Sequence, residues 1–201
     1  MGHTAVVSFE VRRATDRFTT SRDGSVTRHC FSFGHHYDAA NVSFGPVVAV
    51  NDEAVAVGAG FDSHPHSGLV IVTYVVRGSL AHQGISSAHV PAGSTAVLRC
   101  GPGVEHAEVN AGAEELRFVQ TWLTAADDEV SYAVLPGPVR VGDATVLAGY
   151  LTERTFTGHL YVATGMVHVG DALLREGDSV RATSPVTMRP EEGSELVLVA
   201  F

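Results

Sequence analysis

The chain is expected to fold from β-strands alone, and three observations predict this. Helical periodicity is scarce along its 201 residues. What recurs instead is short runs rich in valine, threonine and tyrosine, each closed by glycine or a polar pair. The turn signals between those runs are spaced as in a sandwich or a barrel.

Taken in order, Val47 to Val50 is the first clear strand, with a turn expected at Asn51-Asp52. Leu69 to Val76 is the strongest run, because β-branched and aromatic side chains suit a pleated, buried surface. Ala96 to Leu98 and Leu116 to Leu123 follow, with a turn at Gly112-Ala113 between them. Pro136-Gly137-Pro138 then interrupts the chain, since proline cannot donate to a strand ladder. Leu160 to Ala163 and Leu196 to Phe201 supply strands beyond that break.

A repeat runs through this pattern. Tyr74-Val75-Val76-Arg77-Gly78 resembles Tyr161-Val162-Ala163-Thr164-Gly165, and each copy leads to a glycine-closed turn, Pro91-Ala92-Gly93 in one and Arg175-Glu176-Gly177 in the other. Two copies of one β unit imply duplicated barrels, residues 1–135 and 136–201, meeting near Pro136 to Pro138.

Composition narrows the partners. Hydrophobic residues make up 45% and charged residues 17%, a globular balance. Lysine is absent, and the formal net charge of −9 argues against a nonspecific grip on nucleic-acid phosphates. No apolar run has the ~18 residues of a membrane span, and MGHTAVVSFEVRRATDRF has charges where a leader peptide needs an apolar stretch. Cys30 and Cys100 form no CxxC pair and read as buried thiols in a reducing compartment, the cytoplasm. Nothing demands more than a monomer.

The chemistry is concentrated in two short stretches. FDSHPHSGLV, residues 61–70, carries His64 and His66 at i, i+2, and GPGVEHAEVN, residues 101–110, repeats that spacing with His106 and Glu108. On a strand such a pair shares one face, ~6.6 Å apart along the backbone. Two strands of a small barrel can therefore aim all four side chains at one interior point. Three imidazoles and one carboxylate suit a divalent transition metal and leave coordination positions open, unlike a closed structural zinc site.

These stretches, with SFGHHYDAANVSFGPVVAVNDEAVAVGAG ahead of them and VTYVVRGSLAHQG and FVQTWL between and after, resemble the pirin family of the cupin superfamily over the first 125 or so residues. VATGMVHVGDALLREGD resembles the family's second cupin unit. The resemblance implies two stacked cupin-type β-barrels, the C-terminal one degenerate and short, with one metal in the N-terminal barrel on His64, His66, His106 and Glu108. Iron(II) is the ion it implies, while the ligands would also accept nickel, manganese, copper or zinc. Bacterial members are associated with quercetin 2,3-dioxygenase activity, and the human member is described as an iron-dependent nuclear coregulator.

Two functions follow from that resemblance. One is a dioxygenase acting on a flavonol-like aromatic enol, with Glu108 as ligand and as acceptor of the substrate's hydroxyl proton. The other is a non-catalytic, redox-responsive regulator working through a protein partner. The family places a basic residue and a glutamate where this chain has Ser67 and Val70, and strand alternation is expected to point Val70 into the pocket. A less polar pocket would favour the regulator. Gln120 and Trp122 should share one strand face, with Gln120 donating a hydrogen bond near the site. His35 and His36 belong to the front loop, His159 and His168 to surface or packing. In the second unit Pro190 stands where His106 stands in the first, so no metal is expected there.

Overall fold

A computed structural model of the chain describes residues 8–126 and 128–201. The leader-free reading of the N-terminus begins in residues 1–7, which lie outside that range. The fold is nearly all β, its strands gathered into three sheets among the described residues.

Two of the sheets face each other to make the first barrel. One runs in the order Val130–Leu135, Thr95–Cys100, Leu69–Arg77, Leu116–Thr124, Val47–Val55, Ser25–His29 and Phe18–Arg22. The other comprises Gly60–His66, Val104–Asn110, Ser79–Gln83 and Ala88–Pro91. The third sheet is built on Ala144–Gly149, Glu195–Ala200, Arg154–Thr164 and Ser179–Pro190. Phe9–Arg12 also joins this third sheet, pairing antiparallel with Ser179–Pro190.

Alternation along each strand sorts side chains between two environments. On Leu116–Thr124, Leu116 and Phe118 pack inside the first barrel, whereas Val119 and Leu123 point to a core shared with the second unit. That shared core draws Val72, Tyr74 and Val97 from one side and Tyr161, Val197 and Val199 from the other. Burying side chains of this kind contributes about 1.5–3 kcal/mol each, so the two units are joined by a continuous apolar layer. The interior of the second unit is filled by Leu160, Val162, Val167, Leu174, Met188 and Leu196.

The repeat is visible in the backbone. The Gly93 N–H donates to the Val75 carbonyl at 2.8 Å, and the Gly177 N–H donates to the Val162 carbonyl at 2.8 Å. Each acceptor sits one residue after the matching tyrosine, so the two copies close their turns on equivalent positions.

A polar knot crosses the shared core. Asp52, 1% exposed, accepts from Arg117 Nε at 3.0 Å and Nη2 at 2.9 Å, and from the Tyr161 hydroxyl at 2.6 Å. Arg17 Nη1 donates to that hydroxyl at 2.7 Å. Burial works to raise the Asp52 pKa, but Arg117 above all, with Tyr161 and Arg17, holds the carboxyl below its usual range.

Two expectations are corrected here. Asn51-Asp52 is not a turn: the strand runs on through Val55, because Asn51, Asp52 and Glu53 find buried polar partners that let a polar segment stay in the ladder. Val70 does not face the pocket. It is fully buried in the core between the units, while Ile71 and Thr73 face the barrel interior. The glycine turn at Gly68 sets the phase of the Leu69–Arg77 strand afresh, so alternation counted from His66 fails across it.

Candidate metal centre and cavity

Strands Gly60–His66 and Val104–Asn110 are antiparallel neighbours with His64 directly opposite His106 and His66 opposite Val104. Their close approach depends on Gly60, where an added Cβ would run into the Glu108 carbonyl. The result is a triangle of rings, with centroids 4.5 Å apart for His64 and His106, 4.9 Å for His64 and His66, and 5.0 Å for His66 and His106. One nitrogen from each lies within 4.8 Å of the others.

The nitrogens are chemically ready for an ion. His64 Nδ1 lies 2.7 Å from the Asp62 carbonyl, which can only accept, so Nδ1 carries the proton and Nε2 keeps its lone pair. His66 Nε2 and both ring nitrogens of His106 are buried without a hydrogen-bond partner. Burial, with the neighbouring imidazoles adding to it, drives His66 down to about 4 and His106 to about 3. Both are neutral at pH 7, the form that binds metal. Unpaired buried nitrogens are costly, and a divalent cation would satisfy them, so the residues present fit such an ion.

Glu108 follows His106 on the same inward face of the strand, with its carboxylate outside the group of converging ligand atoms. The bulge between these strands puts its extra residue in the facing one, where the step from His64 to Phe61 is three residues against two from His106 to Glu108. The carboxylate instead accepts from Gln120 Nε2 at 2.7 Å, and Trp122 Nε1 donates to Gln120 Oε1 at 2.6 Å. Gln120 and Trp122 thus share a face and hold Glu108 in a fixed chain. Burial pushes the Glu108 carboxyl up to about 7, opposed by the Gln120 bond.

Between the two sheets lies a cavity of about 650 Å³, within the range of small-molecule sites. His64, Glu108, Gln120 and Trp122 border it on the side of the triangle, and Asn51, Glu53 and His29 lie on the strands beyond. His35 is at its wall, while His36 bonds Thr20 Oγ1 at 3.2 Å. His159 is buried beside Phe31, and His168 is exposed near Glu191.

The sequence reading passed over Asn51, Glu53 and His82. His82 sits opposite Glu108 across the ladder, stacked on Tyr132, with Nδ1 donating to the Ser86 carbonyl at 3.1 Å. The signal for Asn51 and Glu53 was their i, i+2 spacing, concealed by reading a turn there. Glu53 is 5% exposed, and burial lifts its carboxyl to about 8 although Thr27 donates a hydrogen bond to it.

Comparison with known proteins agrees with this architecture. Residues 9–123 match the family model described as Pirin. A Mycobacterium tuberculosis protein provisionally named as a quercetin 2,3-dioxygenase is 41% identical, covering 87% of this chain and 86% of its own. A pirin-like protein of Caulobacter vibrioides is 29% identical, covering 86% and 90%. The fold matches that of the Escherichia coli pirin YhhW, crystallised with nickel(II), at a TM-score of 0.87 and 22% identity, over 96% of this chain and 99% of that one. It also matches a quercetin 2,3-dioxygenase of Acinetobacter baumannii at a TM-score of 0.75 and 19% identity, over 98% and 87%. With a family match across more than half its length and a full-length relative at this identity, the chain belongs to the pirin family of the cupin superfamily.

Proposed function

We propose that this protein is a metal-dependent dioxygenase of the quercetin 2,3-dioxygenase type, acting on a flavonol-like aromatic enol. One divalent ion, iron(II) by preference, would be held by His64, His66 and His106, with Glu108 completing the set. When bound, the ion supplies Lewis acidity and one-electron chemistry toward an enol oxygen and dioxygen. The observation that carries the reading is the convergence of three imidazoles, those of His66 and His106 neutral and with unpartnered nitrogens, beside a cavity of small-molecule size. The names of the Mycobacterium and Acinetobacter relatives support the substrate class.

The chain's own groups have separable tasks. The Asp62 carbonyl keeps His64 in one tautomer. Trp122 orients Gln120, and Gln120 orients Glu108. Glu108, held by Gln120 at the cavity wall, is suited to accept the enol proton on a carboxylate oxygen. Phe33, Phe61 and Trp122 give the cavity apolar surface for an aromatic ligand. The buried thiols of Cys30 and Cys100 support a cytoplasmic location, and no described helix is long and apolar enough to cross a membrane. The regulator reading leaned on Val70 making the pocket apolar, and Val70 lies elsewhere.

The test is elemental analysis beside His64→Ala, then quercetin turnover by anaerobically iron-loaded protein on exposure to air. Near-stoichiometric metal, lost in the variant, with flavonol and oxygen consumed together, is expected. Metal without turnover would reject the oxygenase.

A further inference from the structure

The cavity has a second polar wall that the metal chemistry leaves unused. Asn51 and Glu53 lie at i, i+2 on Val47–Val55, in the sheet facing the one that carries the histidines. Asn51 is 2% exposed and Glu53 5%, yet both border the cavity.

Each of the two is half-satisfied in a defined way. His29 Nδ1 lies 2.9 Å from Asn51 Oδ1, and His29 Nε2 lies 2.9 Å from Thr20 Oγ1. Asn51 Oδ1 is an acceptor there, so its Nδ2 amide remains as a donor, and no described residue takes it. The Thr27 hydroxyl donates to Glu53 Oε2, and Glu53 Oε1 has no partner among the described residues. One unpaired donor and one unpaired acceptor therefore stand side by side on a buried wall. Groups so placed cost free energy unless a ligand or water pairs with them.

We propose that Asn51 and Glu53 form a subsite that reads a phenolic hydroxyl of the substrate on the cavity wall facing the histidines. A hydroxyl matches both groups at once, donating to Glu53 Oε1 and accepting from Asn51 Nδ2. Asn51 lies beside Gln120 in the ladder, and Gln120 reaches across the cavity to Glu108, so the subsite adjoins the groups assigned to the enol. Quercetin carries ring hydroxyls besides the enol that can pair there, and 3-hydroxyflavone does not. The proposal rests on the dioxygenase reading for its substrate class and names the feature that would discriminate among flavonols.

The protein carries its own reporter, since its one tryptophan, Trp122, borders the cavity. Quenching of its fluorescence by quercetin, and by 3-hydroxyflavone, which lacks the ring hydroxyls, gives dissociation constants for the protein as purified. Wild type should bind quercetin about tenfold more tightly, the worth of roughly one well-made hydrogen bond. Glu53→Leu should bring the two within about twofold while leaving 3-hydroxyflavone unchanged, and Glu53→Gln should keep part of the preference. Circular dichroism and melting check that both variants are folded. Equal binding in wild type, or a preference that survives Glu53→Leu, overturns the subsite, even if iron-loaded protein consumes flavonol. The expected binding pattern without turnover sinks the oxygenase and leaves the subsite standing. Failure of both ligands to bind would overturn both.

Discussion

Tyr74 and Tyr161 occupy matching places in the two units and reach across the same interface in opposite directions. The Tyr74 hydroxyl donates to Glu195 Oε1 at 2.9 Å, and the Tyr161 hydroxyl donates to Asp52 Oδ2 at 2.6 Å. Each unit thus lends the other a buried hydrogen bond to a carboxylate, a type worth about 1.5–3 kcal/mol. The Asp52 end also holds Arg117 and Arg17, and the strand it anchors presents Asn51 and Glu53 to the cavity.

Removing Asp52 should therefore be costly. Asp52→Ala leaves Arg117 without its buried partner, and breaking such a pair costs about 3–5 kcal/mol. Urea denaturation would show the loss as a lower midpoint with little change in slope. Because the folded-state pKa is depressed, this contribution is present above ~3.9 and is lost as pH falls through the lowered value.

Val70→Glu would place the acid that the family pattern carries at this position. Val70 packs in the core between the units, and its cross-strand neighbour Arg99 is already engaged by the Arg140 carbonyl and Glu129. The variant should melt lower, by the several kcal/mol of an unpaired buried acid, with metal content unchanged. An unchanged melting temperature would show that the side chain finds a way out of that core.

Gln120→Leu should separate holding the metal from using it. With the hydrogen bond to Glu108 gone, turnover should fall about tenfold to a hundredfold, while His64, His66 and His106 keep the ion in place. Metal analysis beside kcat would check this, and an unchanged kcat would reduce Gln120 to packing.

Acid should act on His159 far from the metal. Burial, then Arg181, lowers its pKa to about 3. The unfolded chain takes up that proton from about pH 6.5 downward, so stability should be complete above this value and decline between it and about 3. His159→Leu should flatten the decline in a series of urea midpoints, which would otherwise stay parallel to wild type.

Much of this could be read from residue order alone. The β-branched runs gave the strands, because a pleated buried surface selects such residues whatever the topology. The histidines were legible because i, i+2 spacing has one geometric meaning on a strand. Asn51 and Glu53 were hidden for a physical reason. Polar residues in mid-strand look like a turn unless their partners are known, and Arg117, His29 and Thr27 are 65, 22 and 26 residues away from those they pair with. Val70 misled for another: alternation holds within a strand, and the Gly68 turn starts a new one. The i, i+2 rule put His106 and Glu108 on one inward face, but it could not foresee that Gln120 would take the carboxylate.

The pairing of Phe9–Arg12 with Ser179–Pro190 also governs how the molecule is made. On a ribosome Phe9–Arg12 must wait for Ser179–Pro190 before it has a partner. Its closure joins Phe9 to Ala182, and such distant contacts are slow to form. Until then the third sheet keeps an unpaired edge, open to strands from neighbouring nascent chains. The docking of Phe9–Arg12 is thus a step exposed to aggregation, and a chaperone would matter until it is complete.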